Sequence, residues 1–212
     1  MQTCNQTILG KNQMSSRELK IAIAGDMETG KTCLVNRFLD NVFTDRYKMT
    51  IGAEFKSKAL MIDDEKVRLQ IWDLAGQYRT KYSVTRNFFK NANGVIITFS
   101  LAGMDGSMKS LSEWRNMSLT VLDDDVPCFL VGTKCDLGTI DTRSIELLCE
   151  VNNFHKWYMT SAKDGKGVDT LFEDISRVMI EHQKQKWENI RNTKSAVNLN
   201  DRSNGLKRIC HC

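Results

Sequence analysis

Gly25-Asp26-Met27-Glu28-Thr29-Gly30-Lys31-Thr32 places four residues between two glycines and follows the second with a lysine and a hydroxyl side chain. This is the spacing of a loop whose backbone N–H groups cradle a polyphosphate. The loop comes after the apolar segment Lys20-Ile21-Ala22-Ile23-Ala24, a strand pattern, and opens Cys33-Leu34-Val35-Asn36-Arg37-Phe38, a helix pattern. A helix N-terminus would then point at the same anion. In such a loop Lys31 binds the β- and γ-phosphates and the Thr32 hydroxyl ligates Mg²⁺. The bland alternative is a glycine turn before an ordinary helix, and the flanking strand and helix patterns weigh against it. Alone, the motif says nucleotide without saying which one.

Two further segments select guanine. Thr133-Lys134-Cys135-Asp136 follows the apolar run Cys128-Phe129-Leu130-Val131-Gly132, at the exit of an expected strand. A carboxylate there can accept two hydrogen bonds, from the guanine N1–H and amino group. Adenine lacks that donor pattern and would leave the charge unpaired. Ser161-Ala162-Lys163 follows the next apolar stretch, where a backbone N–H can donate to the guanine carbonyl. Each segment is a weak signal alone; their order after a phosphate loop is a strong one.

With these motifs the chain resembles a Ras-superfamily GTPase, and specifically the Rab family, over roughly residues 18–182. Thr50-Ile51-Gly52-Ala53-Glu54-Phe55-Lys56 resembles the family's first switch segment and Trp72-Asp73-Leu74-Ala75-Gly76-Gln77 its second. The resemblance implies nucleotide contacts from Gly25, Glu28, Thr29, Gly30, Lys31, Thr32 and Cys33 in the phosphate loop. It implies base contacts from Thr133, Lys134, Asp136, Ser161, Ala162 and Lys163. Phe43 falls beside the guanine ring, although a core role would suit it equally. Mg²⁺ would be served by Thr32 and Thr50, and through water by Asp73. The Gly76 N–H would meet the γ-phosphate and Gln77 would orient the attacking water. The implied ligands are GTP or GDP with Mg²⁺. The implied partners are an exchange factor, a GTPase-activating protein, effectors and the prenylation machinery, around a monomer.

Several positions depart from the family pattern. Met27 and Glu28 replace small residues in the phosphate loop, where a bulky side chain would be expected to crowd Gln77 and slow hydrolysis. Thr133 stands where Asn is more common, Leu74 where Thr is usual and Tyr78 where Glu is usual. The stretch from Tyr78 to Gly94 is about one residue longer than the pattern. A GTP-binding adaptor with negligible hydrolysis is therefore an alternative. A phosphate-loop enzyme acting on another substrate is disfavoured by Asp136 and the Ser161-Ala162-Lys163 segment.

The elements that must hold these residues alternate. Leu19–Ala24 reads as a strand, Lys31–Leu39 as a helix, and Ala53–Ile62 with Val67–Trp72 as a hairpin about Asp63-Asp64-Glu65. Gly94–Leu101 is a buried-strand run. Met108–Leu122 is a helix, Cys128–Gly132 a strand, Thr142–Phe154 a helix and Trp157–Thr160 a short strand. Val168–Asn192 is a long helix with Val168, Leu171, Phe172, Ile175, Val178 and Met179 on one face. The expected fold class is α/β, a Ras-like phosphate-loop domain with a mostly parallel six-stranded sheet and helices on both faces. Residues 1–16 read as a flexible leader, 17–194 as the nucleotide-binding domain and 195–212 as a disordered tail.

Among 212 residues, 41% are hydrophobic and 26% charged, which suits one full-sized globular domain. Met1–Ser16 shows no signal peptide and no apolar run is long enough to cross a bilayer, so a cytosolic start is expected. The net charge of +4 is concentrated after Gln183, where Lys184, Lys186, Arg191, Lys194, Arg202, Lys207 and Arg208 outnumber Glu188 and Asp201. Such a tail suits an anionic surface or plain solvation, and charge alone does not choose. Nucleic acid is disfavoured, since Trp187 is the only aromatic among these cations.

Seven cysteines make an odd count, without metal-ligand spacing among Cys4, Cys33, Cys128, Cys135 and Cys149. The terminal Cys210-His211-Cys212 resembles a doubly geranylgeranylated Rab end, and two lipid chains anchor where one is marginal. Metal capture by that trio is the alternative, without a fourth ligand in view. The expected location is the cytoplasmic face of intracellular membranes, with a cytosolic pool.

Overall fold

The computed structural model describes residues 16–46, 48–77, 82–103, 110–138 and 141–206. Its elements are β1 (Arg17–Gly25), α1 (Lys31–Asp40), β2 (Ala53–Ile62), β3 (Glu65–Leu74), α2 (Tyr82–Phe89) and β4 (Gly94–Ser100). They continue with α3 (Leu111–Leu119), β5 (Cys128–Thr133), α4 (Thr142–Val151), β6 (Lys156–Met159) and α5 (Val168–Leu206). The six strands form one sheet in the order β2-β3-β1-β4-β5-β6. Only the β2–β3 pair is antiparallel. The expected α/β fold with a mostly parallel six-stranded sheet is the fold observed.

Alternation along β1 explains the two layers. Leu19, Ile21 and Ile23 join a core with Leu34, Val35 and Phe38 of α1 and Phe172, Ile175 and Met179 of α5. Ala22 and Ala24 belong to a second core with Phe88 and Phe89 of α2, Trp114 of α3 and Ile145 of α4. Successive side chains of a strand point to opposite faces, so one strand feeds both cores. β4 and β5 are buried along their whole length, which is why they read as continuous apolar runs. The strand order reverses around β1, and open parallel sheets place ligands outside the carboxyl ends of strands at such a point.

Several boundaries differ from the sequence expectation, each for a local reason. β3 starts at Glu65, because Asp63 and Asp64 alone make the turn, both with positive φ (46° and 64°). That is the backbone a two-residue hairpin turn prefers, and Asp tolerates it. α4 stops at Val151 rather than Phe154, since Asn153 takes φ 52° and Phe154 turns into the core. α3 begins at Leu111, while the expected start at Met108 lies outside the described residues. Helix α2 was not anticipated; it carries Phe88 and Phe89 inward.

α5 runs on to Leu206, so the expected end at Asn192 and the domain boundary at residue 194 both fall inside it. Between Gln183 and Asn204 there is neither glycine nor proline to stop a helix. No helix among the described residues is long and apolar enough to cross a membrane.

Phe38 and Phe172 stack with ring centroids 3.9 Å apart and fasten α1 to α5. Phe172→Ala should lower unfolding free energy by about 3–5 kcal/mol in urea titration. A loss below about 1 kcal/mol would show that this contact does not hold the helices.

Candidate functional site

The phosphate loop begins where β1 ends. Gly25 has φ 143°, and a Cβ on it would lie 2.4 Å from Thr98 Oγ1 and 2.5 Å from the Thr98 carbonyl oxygen. Any side chain there would collide with β4. Gly30, at φ 85°, immediately precedes α1 and caps it without a side-chain bond. The N-terminal N–H groups of a helix need partners, and an anion supplies them. Thr29 Oγ1 donates to the Asp26 carbonyl (2.9 Å) and lies 2.8 Å from Thr98 Oγ1.

Lys31 is buried, and its Nζ donates to the carbonyls of Gly25 (2.9 Å) and Asp26 (2.6 Å). Burial lowers its pKa to about 8, with Asp73 and Asp26 opposing the shift. Its ammonium is thus hydrogen-bonded to neutral carbonyl oxygens, and a polyphosphate would add a strong counter-charge.

Thr32, Thr50 and Asp73, the three expected Mg²⁺ residues, meet. Thr32 Oγ1 donates to Asp73 Oδ2 at 2.5 Å and lies 2.7 Å from Thr50 Oγ1. Asp73 Oδ1 is buried and has no hydrogen-bond partner. Burial pushes the Asp73 carboxyl up, against the Thr32 hydrogen bond and Lys31. An orphaned carboxylate oxygen beside two hydroxyls is a donor set that fits a hard divalent cation. The Ala75 N–H donates to the Gly52 carbonyl (2.9 Å), so the two expected switch segments also touch through their backbones.

Gly76 lies directly on the phosphate loop: a Cβ there would be 2.3 Å from the Met27 nitrogen. Met27, 55% exposed, shares the cleft with Gln77 and Glu28. Glu28 has φ 62°, a left-handed conformation that costs a non-glycine residue on the order of 1 kcal/mol. The cleft has a volume of about 970 Å³. Gly30, Lys31, Thr32, Cys33, Phe43, Thr50, Thr133, Lys134, Asp136, Ala162 and Lys163 also line it. Of the expected residues, Gly25, Thr29, Asp73 and Ser161 stand behind that wall as supports. Burial raises the Cys33 thiol pKa, so Cys33 presents a neutral side chain. Tyr78, Cys210 and Cys212 lie outside the described residues.

The base-selecting segments are tied to the loop by contacts. Thr133 is buried, and its hydroxyl is 2.5 Å from the Thr29 carbonyl and 3.0 Å from that of Phe99. Asp136 is exposed at the cleft. The Cys135 N–H donates to the Thr160 carbonyl (3.1 Å), joining the Asp136 loop to the Ser161 loop. Ser161 is buried and its Oγ accepts from the Asp164 N–H at 3.1 Å. Arg37 was missed. From α1 its Nε donates to the Ala162 carbonyl (2.5 Å) and its Nη2 to that of Lys163 (2.8 Å). In the sequence it is one residue of the α1 helix pattern, and nothing in its spacing marks the distant loop it clamps.

A phosphate loop at the end of β1, a carboxylate-hydroxyl cluster and two base-side loops around one cleft define a phosphate-loop guanine-nucleotide-binding protein. Residues 20–181 match the Ras family. The chain is 36% identical to the Ras-related protein Rab-32C of Dictyostelium discoideum, over 77% of this chain and 74% of that protein. It is 34% identical to the Ras-related protein Rab7 of Drosophila melanogaster, over 79% and 84% respectively. The chain belongs to the Rab family of small GTPases, within the Ras superfamily. It binds guanine nucleotide and is a GTP hydrolase.

Lys31 supplies a pH test in the nucleotide-free protein. Its folded pKa is about 8 against an ordinary lysine value of 10.5. Between those values the unfolded chain binds more protons, so the buried charge destabilises the fold below that window and ceases to above it. Relative to Lys31→Met, the wild type should gain stability on the order of 3 kcal/mol as pH rises through this window. A stability difference that stays constant with pH would contradict the depressed pKa.

Proposed function

We propose that this protein is a GTP-driven switch on intracellular membranes, regulating vesicle traffic. The observation that carries the reading is the Thr32–Thr50–Asp73 cluster, because it joins the phosphate loop to both switch segments at one point. Thr32 and Thr50 would hold Mg²⁺ directly and Asp73 through water; the ion supplies charge neutralisation for the phosphates. Lys31 binds the β- and γ-phosphates and the Gly76 N–H meets the γ-phosphate. Gln77 orients a water whose oxygen bonds to the γ-phosphorus as the bond to the β–γ bridging oxygen breaks, giving GDP and phosphate. Once the γ-phosphate leaves, Thr50 and Gly76 lose their partner and the segments relax.

On the base side, Asp136 accepts from guanine, the 161–163 loop meets its carbonyl, and Phe43 packs beside the ring. Cys210 and Cys212 carry two prenyl chains added by prenylation machinery, and the basic residues before them add attraction to anionic lipid. The monomer then divides between the cytoplasmic face of the membrane and a cytosolic pool. An exchange factor, an activating protein and effectors act on the switch segments, and nucleic acid is not a partner.

Met27 supports a second reading, a GTP-binding adaptor with negligible hydrolysis. Its side chain is exposed into the cleft that Gln77 lines. Single-turnover GTP cleavage by the wild type, Gln77→Leu and Met27→Gly separates the two. The switch reading expects slow cleavage, a loss of about tenfold or more in Gln77→Leu and a gain in Met27→Gly. Tight GTP binding without cleavage in the wild type would establish the adaptor.

A further inference from the structure

Asp26 poses a question of charge. A loop that must receive a polyphosphate carries a carboxylate at its second position. Met27 and Glu28, next in the chain, line the cleft, but Asp26 is not part of its wall. Its side chain points instead to α3. Asp26 Oδ1 accepts from the Trp114 indole N–H at 3.0 Å, and Oδ2 accepts from the Ser110 hydroxyl at 2.5 Å. Trp114 is fully buried and Ser110 nearly so, so both donors are fixed by packing.

The backbone of the same residue meets the reaction machinery. The Asp26 carbonyl accepts from Lys31 Nζ at 2.6 Å and from Thr29 Oγ1 at 2.9 Å. A Cβ on Gly76 would come within 2.5 Å of the Asp26 carbonyl carbon. Asp26 is thus gripped by its side chain on one side, while its peptide supports both Lys31 and Gly76 on the other.

We infer that Trp114 and Ser110 are positioning residues for phosphate binding. Their N–H and O–H hold the Asp26 carboxylate away from the phosphates and so set the carbonyl that orients Lys31. Removing those donors would take away two hydrogen bonds that keep the carboxylate turned from the cleft, and a carboxylate facing the cleft would repel the nucleotide's phosphates. This role rests on the cleft being the guanine-nucleotide site proposed above. Neither residue lines the cleft, and α3 thereby acquires a hold on nucleotide retention through Asp26.

The test is GDP release from purified, Mg²⁺- and GDP-loaded full-length protein: wild type, Trp114→Phe, Ser110→Ala, Asp26→Ala and the pair Trp114→Phe/Asp26→Ala. Release should quicken on the order of tenfold in Trp114→Phe and in Ser110→Ala, the weight of a hydrogen bond to a charged group. With Asp26→Ala in place, Trp114→Phe should add nothing, and the pair should release GDP more slowly than Trp114→Phe alone. A role through packing only would instead quicken release equally in both backgrounds, and that result overturns the inference. Should Trp114→Phe fail to fold, Ser110→Ala, which removes one oxygen, carries the test with Ser110→Thr as its rescue. Wild-type protein that binds no GDP would bring down the nucleotide-site reading and this inference together. Wild-type binding with unchanged release in the Ser110→Ala and Trp114→Phe variants would bring down this inference alone.

Discussion

Lys31 carries an ammonium group into a pocket where burial lowers its pKa to about 8 and where the nearest acceptors are the carbonyls of Gly25 and Asp26. A cation so placed suits an incoming anion, and the surrounding structure holds it in one geometry. Gly25 presses against Thr98 of β4, where even a methyl group would clash. Thr29 and Thr98 share a buried hydroxyl contact, and Thr133 reaches across from β5 to the Thr29 carbonyl. The loop is therefore braced by two neighbouring strands, and its rigidity is a property of the sheet.

The remaining parts of the site depend on that bracing. Asp73, next to last in β3, lies beside Thr32 at the head of α1, so the carboxylate meets the phosphate loop from within a strand. Thr50 closes the same cluster from the irregular segment between α1 and β2. Regular elements thus present a charge and one hydroxyl, from Asp73 and Thr32, while the second hydroxyl comes from the irregular segment. Such a division would let a ligand bias the Thr50 segment without moving the frame. Arg37 extends the logic to the base side, fastening the carbonyls of Ala162 and Lys163 to the helix that the phosphate loop opens.

Much of this was legible in the sequence because the signals were local. The glycine spacing, the run Lys20–Ala24 before it and the helix pattern after it specify the loop together, and β4 and β5 betray their double burial as unbroken apolar runs. What escaped was set by long-range contact. Arg37 finds its partners more than a hundred residues away, and Ser110 and Trp114 reach Asp26 from a helix whose pattern announces only packing. Helix α2 lies within the stretch from Tyr78 to Gly94 that departs from the family pattern, and the sequence reading assigns it no element. The length of α5 was underestimated because fading apolar periodicity reports lost burial, whereas helix continues wherever no glycine or proline interrupts it.

The claim on which the account stands is that the γ-phosphate is sensed through the Thr32–Thr50–Asp73 cluster. Amide hydrogen exchange over residues 44–52 and 74–77, in GDP and in a non-hydrolysable GTP analogue with Mg²⁺, tests it most directly. The account predicts clear protection of both segments in the triphosphate state, lost from the first segment in Thr50→Ala while the analogue stays bound. Equal exchange in the two nucleotide states, with both nucleotides bound, would contradict it.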